Sequence, residues 1–262
     1  MQRWIFLRGL VRESRHWGAF VQQFESTLPG VQVVALDLAG NGPRYRERSA
    51  TSVRDMVEDC RQQLRGDGLP GPYSILAVSM GAMVAAEWAQ VYPDEVAALV
   101  LVNTSMRPFS AFYQRLRPSN YARIFRLVCI ASSAAHWEQE ILSMTSNHAE
   151  AEVLPYWSNL REQSPVSLGN ALRQLWAAAR YRASELRPRA ATLVLASKQD
   201  HLVSVECSIA LARAWAVALE LHSTAGHDMT LDAGSWVAQT VQAWCTADSS
   251  CPGQTTVTLL TQ

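Results

Sequence analysis

The stretch Ser74-Ile75-Leu76-Ala77-Val78 runs directly into Ser79-Met80-Gly81-Ala82-Met83-Val84-Ala85. An apolar run of strand length, a single polar residue and then helix-forming composition leave few local structures open. The reading is a strand, a very sharp turn and a helix. Ala77 and Gly81, two positions either side of Ser79, are small because strand and helix must approach closely across such a turn. A turn of this kind holds a serine hydroxyl at its tip, in strained backbone, above the edge of a sheet. A buried serine in a Gly/Ala-rich strand–loop–helix gives the same pentapeptide, so the rest of the chain has to discriminate.

Around this stretch the pattern is repetitive. Arg3 to Leu7 reads as a strand. Trp17, Phe20, Val21, Phe24 and Leu28 then make one apolar helical face, with Ser14 as its N-cap. Val31 to Leu38 is a second strand, apolar enough to be covered on both faces, and it ends in the turn cluster Asp37-Leu38-Ala39-Gly40-Asn41-Gly42-Pro43. Ser52 and Asp55 form a capping box ahead of the stripe Val53, Met56, Val57, Cys60 and Leu64. Met80 to Val91 is the helix after the sharp turn, and Ala97 to Val102 the next strand. Strands and helices alternating at this spacing give an α/β fold: a mainly parallel sheet with helices on both faces.

From Met106 to Arg189 the strands stop while helical periodicity persists, as in Leu168, Ala171, Leu172, Leu175 and Trp176. This is an inserted helical cap, rich in aromatics that belong mostly to helix packing. The α/β rhythm resumes with strands at Ala191 to Ala196 and Ala218 to His222. A helix from Glu206 to Trp215 lies between them, and a last helix carries Trp236, Val237, Thr240, Val241 and Trp244. The expected organisation is therefore a core in two parts, residues 1–105 and 190–246, a cap over 106–189, and a polar tail over 247–262.

Composition narrows the classes. A chain of 262 residues that is 48% hydrophobic has room for one large α/β domain with an insertion. A formal net charge of +0 gives no pull toward nucleic acid. No run reaches the roughly 18 apolar residues of a membrane span. Cys60, Cys129, Cys207, Cys245 and Cys251 are odd in number and stand in no metal-ligand spacing, which fits reduced thiols and a cytoplasmic setting. Cys245 and Cys251 are near enough in sequence to leave a pairing open. The partner expected is a small molecule, with no metal and no cofactor.

Serine is a poor nucleophile until a base takes its proton, and that base needs an orienting carboxylate. Residues just beyond the C-terminal ends of parallel strands converge on one edge of a sheet. Ser79, Asp200 and His227 occupy such positions, in that chain order. His222 lies within a strand and reads as structural. Asp228 and Asp232 are too close to His227 in sequence to meet its ring comfortably, and Asn103 offers an amide where a carboxylate is needed. Asp200 is therefore the orienting acid.

With these residues in place the chain resembles the α/β-hydrolase superfamily, in particular its cap-bearing serine carboxylesterases. The resemblance spans residue 3 to about 245 and rests on Arg8-Gly9-Leu10 with Trp17 following, Asp37-Leu38-Ala39-Gly40-Asn41-Gly42, the serine turn, Tyr92-Pro93-Asp94-Glu95 with the strand after it, and the order of the three polar residues. It implies catalysis by Ser79, Asp200 and His227, with an oxyanion hole built from the backbone N–H groups of Met80 and Leu10. Two departures stand out. Ala77 takes the first glycine position of the turn, and Arg8 replaces the histidine usual before Gly9. For Arg8 two roles are open, a structural hydrogen-bonding one and a substrate contact recognising a carboxylate. Ten arginines between Arg107 and Arg187 against six glutamates between Glu138 and Glu185 raise the same question for the cap. The expected reaction is hydrolysis of carboxylic esters through an acyl-enzyme. A lactone, a thioester or a carbon–carbon bond is the alternative target, and a non-catalytic binding protein on the same scaffold is a further one.

Overall fold

A computed structural model describes residues 2–130, 133–148 and 152–247. The order of elements is β1 (Gln2–Leu7), α1 (Phe20–Thr27), β2 (Val31–Leu36), α2 (Val53–Gly66), β3 (Tyr73–Val78), α3 (Met80–Val91) and β4 (Val96–Val102). Five helices follow without a strand: α4 (Phe112–Arg115), α5 (Tyr121–Ile130), α6 (Ala134–Thr145), α7 (Val153–Gln163) and α8 (Leu168–Arg180). The chain then returns to the sheet with β5 (Ala191–Ser197), α9 (Val205–Trp215), β6 (Ala218–His222), α10 (Met229–Asp232) and α11 (Gly234–Ala247). The six strands are parallel and lie in the order β2-β1-β3-β4-β5-β6.

Strand periodicity sorts the apolar side chains into two cores. Trp4 and Phe6 of β1, Leu76 and Val78 of β3, and Val100 and Val102 of β4 face α1 and α11, meeting Phe20, Phe24, Val237 and Val241. Ile5, Leu7, Ile75, Ala77, Leu99 and Leu101 face the opposite way, against Met56, Val57 and Leu64 of α2, Trp88 of α3 and Leu211 and Trp215 of α9. Phe6 sits among Trp17, Phe20 and Phe24 with ring centroids 4.9–5.7 Å away. Burial on both faces explains why the central strands read as unbroken apolar runs.

Two local expectations need correction. β2 is an edge strand whose side chains are mostly half-buried, not covered on both faces. Ser14 does not cap a helix running through Trp17. It opens a 3₁₀ turn, Ser14–Trp17, and its N–H and Oγ bond to Asp37 at 2.6 and 2.8 Å, while α1 starts only at Phe20. Ser52 caps α2, its Oγ accepting from the Asp55 N–H at 3.1 Å, but the reciprocal half of the capping box is replaced: Asp55 Oδ2 accepts the Ser52 hydroxyl at 2.6 Å. Residues 248–262, most of the expected tail, and the Cys251 half of any pairing with Cys245 lie outside the described residues. Among those described, no helix is long and apolar enough to cross a membrane.

The sheet order matters for function. β1 has β2 on one side and β3 on the other, so the chain reverses its winding there, and a crevice opens beyond the carboxyl ends of these strands. The loop after β1 and the turn after β3 flank that crevice, and helices inserted between β4 and β5 overhang it.

Candidate active site

Ser79 occupies the single residue between β3 and α3, with φ +57 and ψ −117. A non-glycine residue in this region is strained and must be held by its surroundings. Its N–H donates to the Val102 carbonyl at 2.9 Å, and its own carbonyl accepts from the Ala82 N–H at 3.1 Å and the Thr104 hydroxyl at 3.0 Å. Gly81 explains the spacing in the pentapeptide. A Cβ there would stand 2.5 Å from the Leu7 carbonyl oxygen and 2.6 Å from that of Arg8, so only glycine lets α3 lie against the end of β1. Gly9 packs on the serine itself, since a Cβ at that position would be 3.1 Å from Ser79 Cβ and 3.6 Å from its Oγ.

Asp200 and His227 meet from different strand ends. His227 Nδ1 lies 2.7 Å from Asp200 Oδ2, and both residues are buried. The second carboxylate oxygen, Oδ1, accepts the N–H groups of Leu202 and Val203 at 2.8 and 2.9 Å, which fixes the carboxylate plane. A carboxylate only accepts, so the ring proton sits on Nδ1 and Nε2 is left as the basic nitrogen. Burial pushes the His227 pKa down, but the charge and hydrogen bond of Asp200, helped by Asp228, outweigh it and raise the value above the usual range. Ser79 and His227 line the same cavity. Among the described residues no group accepts a hydrogen bond from the N–H of Leu10 or Met80. The Met80 N–H is also the first of the orphan donors at the positive end of α3.

Asn103 proves to be a clamp. With φ +44, it donates through Nδ2 to the carbonyls of Gly226 and His227 at 3.1 and 2.8 Å, and its Oδ1 accepts the Ser197 N–H at 2.8 Å. The loops carrying the acid and the imidazole are thereby tied together. His222 is structural: Nδ1 accepts from the N–H groups of Thr224 and Ala225, and the ring stacks edge-on against Trp236. Asp232 caps loops, accepting from Gly226 and Asn147 N–H groups at 2.6 and 2.8 Å.

Of the two roles open to Arg8, its contacts describe the structural one. The guanidinium is buried, forks onto both Asp228 oxygens at 3.0 and 2.5 Å, reaches the Thr230 hydroxyl at 3.2 Å, and stacks over Trp17. Asp228 in turn stays ionised. Burial alone would raise its pKa, and the Arg8 charge brings it below the ordinary carboxylate range.

The cavity has a volume of about 220 Å³. Away from Ser79, His227 and the Arg8–Asp228 pair its wall is mostly aliphatic, with Leu116, Ile124 and Leu127, then Ile141 and Met144 of α6, then Leu168, Leu172 and Leu175 of α8, joined by Arg12 and Thr145. Among the described aromatics of the insertion, Trp137 alone lines it. The signal in the sequence was the leucine stripe of α8, at helical spacing. It reads as core, yet Leu168, Leu172 and Leu175 line the cavity and are all exposed.

The comparisons with known proteins now have a geometry to attach to. The model of the family described as serine aminopeptidase, S33, matches residues 3–234. The chain belongs to this α/β-hydrolase family. RutD of Cronobacter turicensis, named for carbamate hydrolysis, is 26% identical over 251 residues, which cover 92% of this chain and 90% of RutD. Two solved structures share the fold. A thermophilic esterase from Thermogutta terrifontis has a TM-score of 0.73 at 21% identity, covering 94% of this chain and 90% of its own. The 2-hydroxy-6-oxo-6-phenylhexa-2,4-dienoate hydrolase of Rhodococcus strain RHA1 has a TM-score of 0.74 at 16% identity, covering 92% and 89%. The protein is a hydrolase on an α/β-hydrolase scaffold.

Proposed function

We propose that this hydrolase cleaves carboxylic esters of small or medium acyl groups through an acyl-enzyme on Ser79. The observation that carries the reading is the buried 2.7 Å contact of His227 Nδ1 with Asp200, in a cavity that also holds the strained Ser79. Ser79 Oγ attacks the ester carbonyl while His227 Nε2 takes its proton. Asp200 holds the tautomer and stabilises the imidazolium. Negative charge developing on the carbonyl oxygen meets the Met80 and Leu10 N–H groups, each worth about 3–4 kcal/mol in the transition state. Collapse expels the alcohol with the proton from His227, and water repeats the sequence on the acyl-enzyme. Helices α4–α8, residues 106–189, act as the cap that walls in the acyl group.

The cavity supports the substrate class. It is smaller than the roughly 300–1,000 Å³ typical of drug-sized ligands, and its aliphatic lining favours a short apolar acyl chain. The one carboxylate in the lining, Asp228, is neutralised by Arg8, which leaves no free anion to bind the α-ammonium of a peptide. A terminal carboxylate on the acyl group likewise finds no free guanidinium at Arg8. Lactones, thioesters, carbamates and ketone-adjacent carbon–carbon bonds all suit the same three side chains, and the leaving group separates them.

Replacing Ser79 with alanine tests the mechanism. Ser79→Ala is expected to abolish turnover of p-nitrophenyl butyrate and labelling by a fluorophosphonate, with the unfolding transition unchanged. Retained turnover by the folded variant overturns the assignment, and an unlabelled wild type favours a binding protein on this scaffold. A rate series over acetyl to decanoyl esters, thioesters, lactones and carbamates then identifies the bond and the chain length.

A further inference from the structure

The loop that carries Leu10 contains a second strained residue. Val11 has φ +53, a left-handed conformation that is a genuine outlier for a β-branched side chain. It persists only where neighbours over-determine it. One local bond closes the turn, from the Arg12 N–H to the Gly9 carbonyl at 3.3 Å. The other bond comes from far away in sequence. The Val11 N–H donates to Gln174 Oε1 at 2.9 Å, across 163 positions.

Gln174 lies on α8 and is wholly buried. Its amide nitrogen is also committed, donating to Asn41 Oδ1 at 2.9 Å and Ser49 Oγ at 3.1 Å. One turn earlier, Asn170 Oδ1 accepts the Ser49 N–H at 3.0 Å and its Nδ2 donates to the Glu47 carbonyl at 2.8 Å. The helix is therefore anchored to the loop between β2 and α2, and from that anchorage it presents a single acceptor to Val11. The φ of Val11 fixes the peptide that joins it to Leu10, and so restricts how the Leu10 segment is presented to the cavity.

We propose that Gln174 is a positioning residue for the oxyanion hole: from the inserted helix α8 it holds Val11 in its strained conformation and thereby aims the Leu10 N–H. This rests on the reading of Ser79 as nucleophile and Leu10 as oxyanion donor. It makes the insertion part of the catalytic geometry as well as a wall of the acyl pocket. Displacing α8 disassembles the hole.

The test compares Gln174→Met, similar in length but without an acceptor, with Gln174→Glu, which keeps an oxygen for Val11. Gln174→Met is expected to lower kcat on p-nitrophenyl butyrate about 10- to 100-fold with KM little changed, the scale of a misaimed donor. It is also expected to weaken an alkyl trifluoromethyl ketone, whose adduct carries an oxyanion, by a similar factor. Gln174→Glu keeps the acceptor for Val11 but gives up the donor to Asn41 Oδ1, so it is expected to recover part of both. Ser49→Ala, which removes a partner of Gln174 but leaves its bond to Val11, keeps the wild-type kcat even if its melting point falls. If Gln174→Met does not fold, Gln174→Asn, one methylene shorter, reads the same loss. Wild-type kcat and ketone affinity in a folded Gln174→Met or Gln174→Asn overturn the proposal, as does a Ser49→Ala defect of equal size. Failure of the underlying reading looks different: the wild type itself is then not inhibited by the ketone.

Discussion

The imidazole of His227 stands between opposed influences, and under the proposed mechanism their balance sets the pH range of activity. Burial favours the neutral ring, while the Asp200 carboxylate at 2.7 Å, with Asp228 behind it, favours the cation and prevails. Only the neutral ring can accept the serine proton, so activity is lost as pH falls through a pKa lying above the ordinary 6.5. Asp200→Asn removes the larger of the raising influences. The acid limb of the kcat/KM profile is expected to move to lower pH, with kcat on its plateau reduced about ten-thousand-fold. A limb that stays in place in that variant separates Asp200 from the titration of His227. The meeting of Asp200 with His227, beside the cavity that Ser79 also lines, was legible in the sequence because parallel topology brings strand ends together whatever their separation. Arg8 was not, because its partner Asp228 lies 220 positions away and nothing in either local pattern pairs them.

At the level of elements, periodicity and caps gave α2, α3 and the central strands to within a residue or so, since both faces of each strand are apolar and each helix opens on a clear signal. The misreadings fall where tertiary contacts override local pattern. Trp17 continues the apolar spacing of α1, yet it sits in a 3₁₀ turn because Ser14 is drawn to Asp37. Asn103 shows the same limit at the site. Its position after β4 was visible, but its task of joining β4, β5 and the loop after β6 depends on three backbone groups from distant segments. Asn103→Ala orphans those buried groups and places alanine at φ +44, so a loss of about 1–3 kcal/mol or more is expected in denaturant unfolding. The kcat should fall with it, because the His227 carbonyl loses its tether. Asn103→Asp should not rescue it, since a carboxylate cannot donate to either carbonyl. An unchanged kcat in Asn103→Ala shows that the His227 loop is positioned without it.

Across the whole molecule, the insertion is fastened to the sheet by buried charge as well as by the Gln174 bond. Arg12, from the loop after β1, donates to Glu138 Oε2 on α6 at 2.5 Å and stacks over Trp157 of α7. Arg161 of α7 donates to the other oxygen, Oε1, at 2.7 Å. Glu138 is buried, which by itself would raise its pKa, but the charges and hydrogen bonds of Arg12 and Arg161 bring it below the usual glutamate range. The unfolded chain, with a glutamate near 4.5, then takes up a proton that the folded protein refuses. The stabilisation from this trio is therefore fully present above that pH and drains away as pH falls toward the folded pKa. Glu138→Gln imitates the protonated state while leaving Arg12 buried beside a neutral group. At pH 7 it is expected to cost about 3–5 kcal/mol, the scale of breaking a buried pair from one side. Its stability should then decline less than that of the wild type between pH 6 and pH 4, because one of the protons driving the decline has been removed. Denaturant unfolding of both proteins at the two pH values measures this, and parallel declines would show that Glu138 does not couple the insertion to the sheet through its charge.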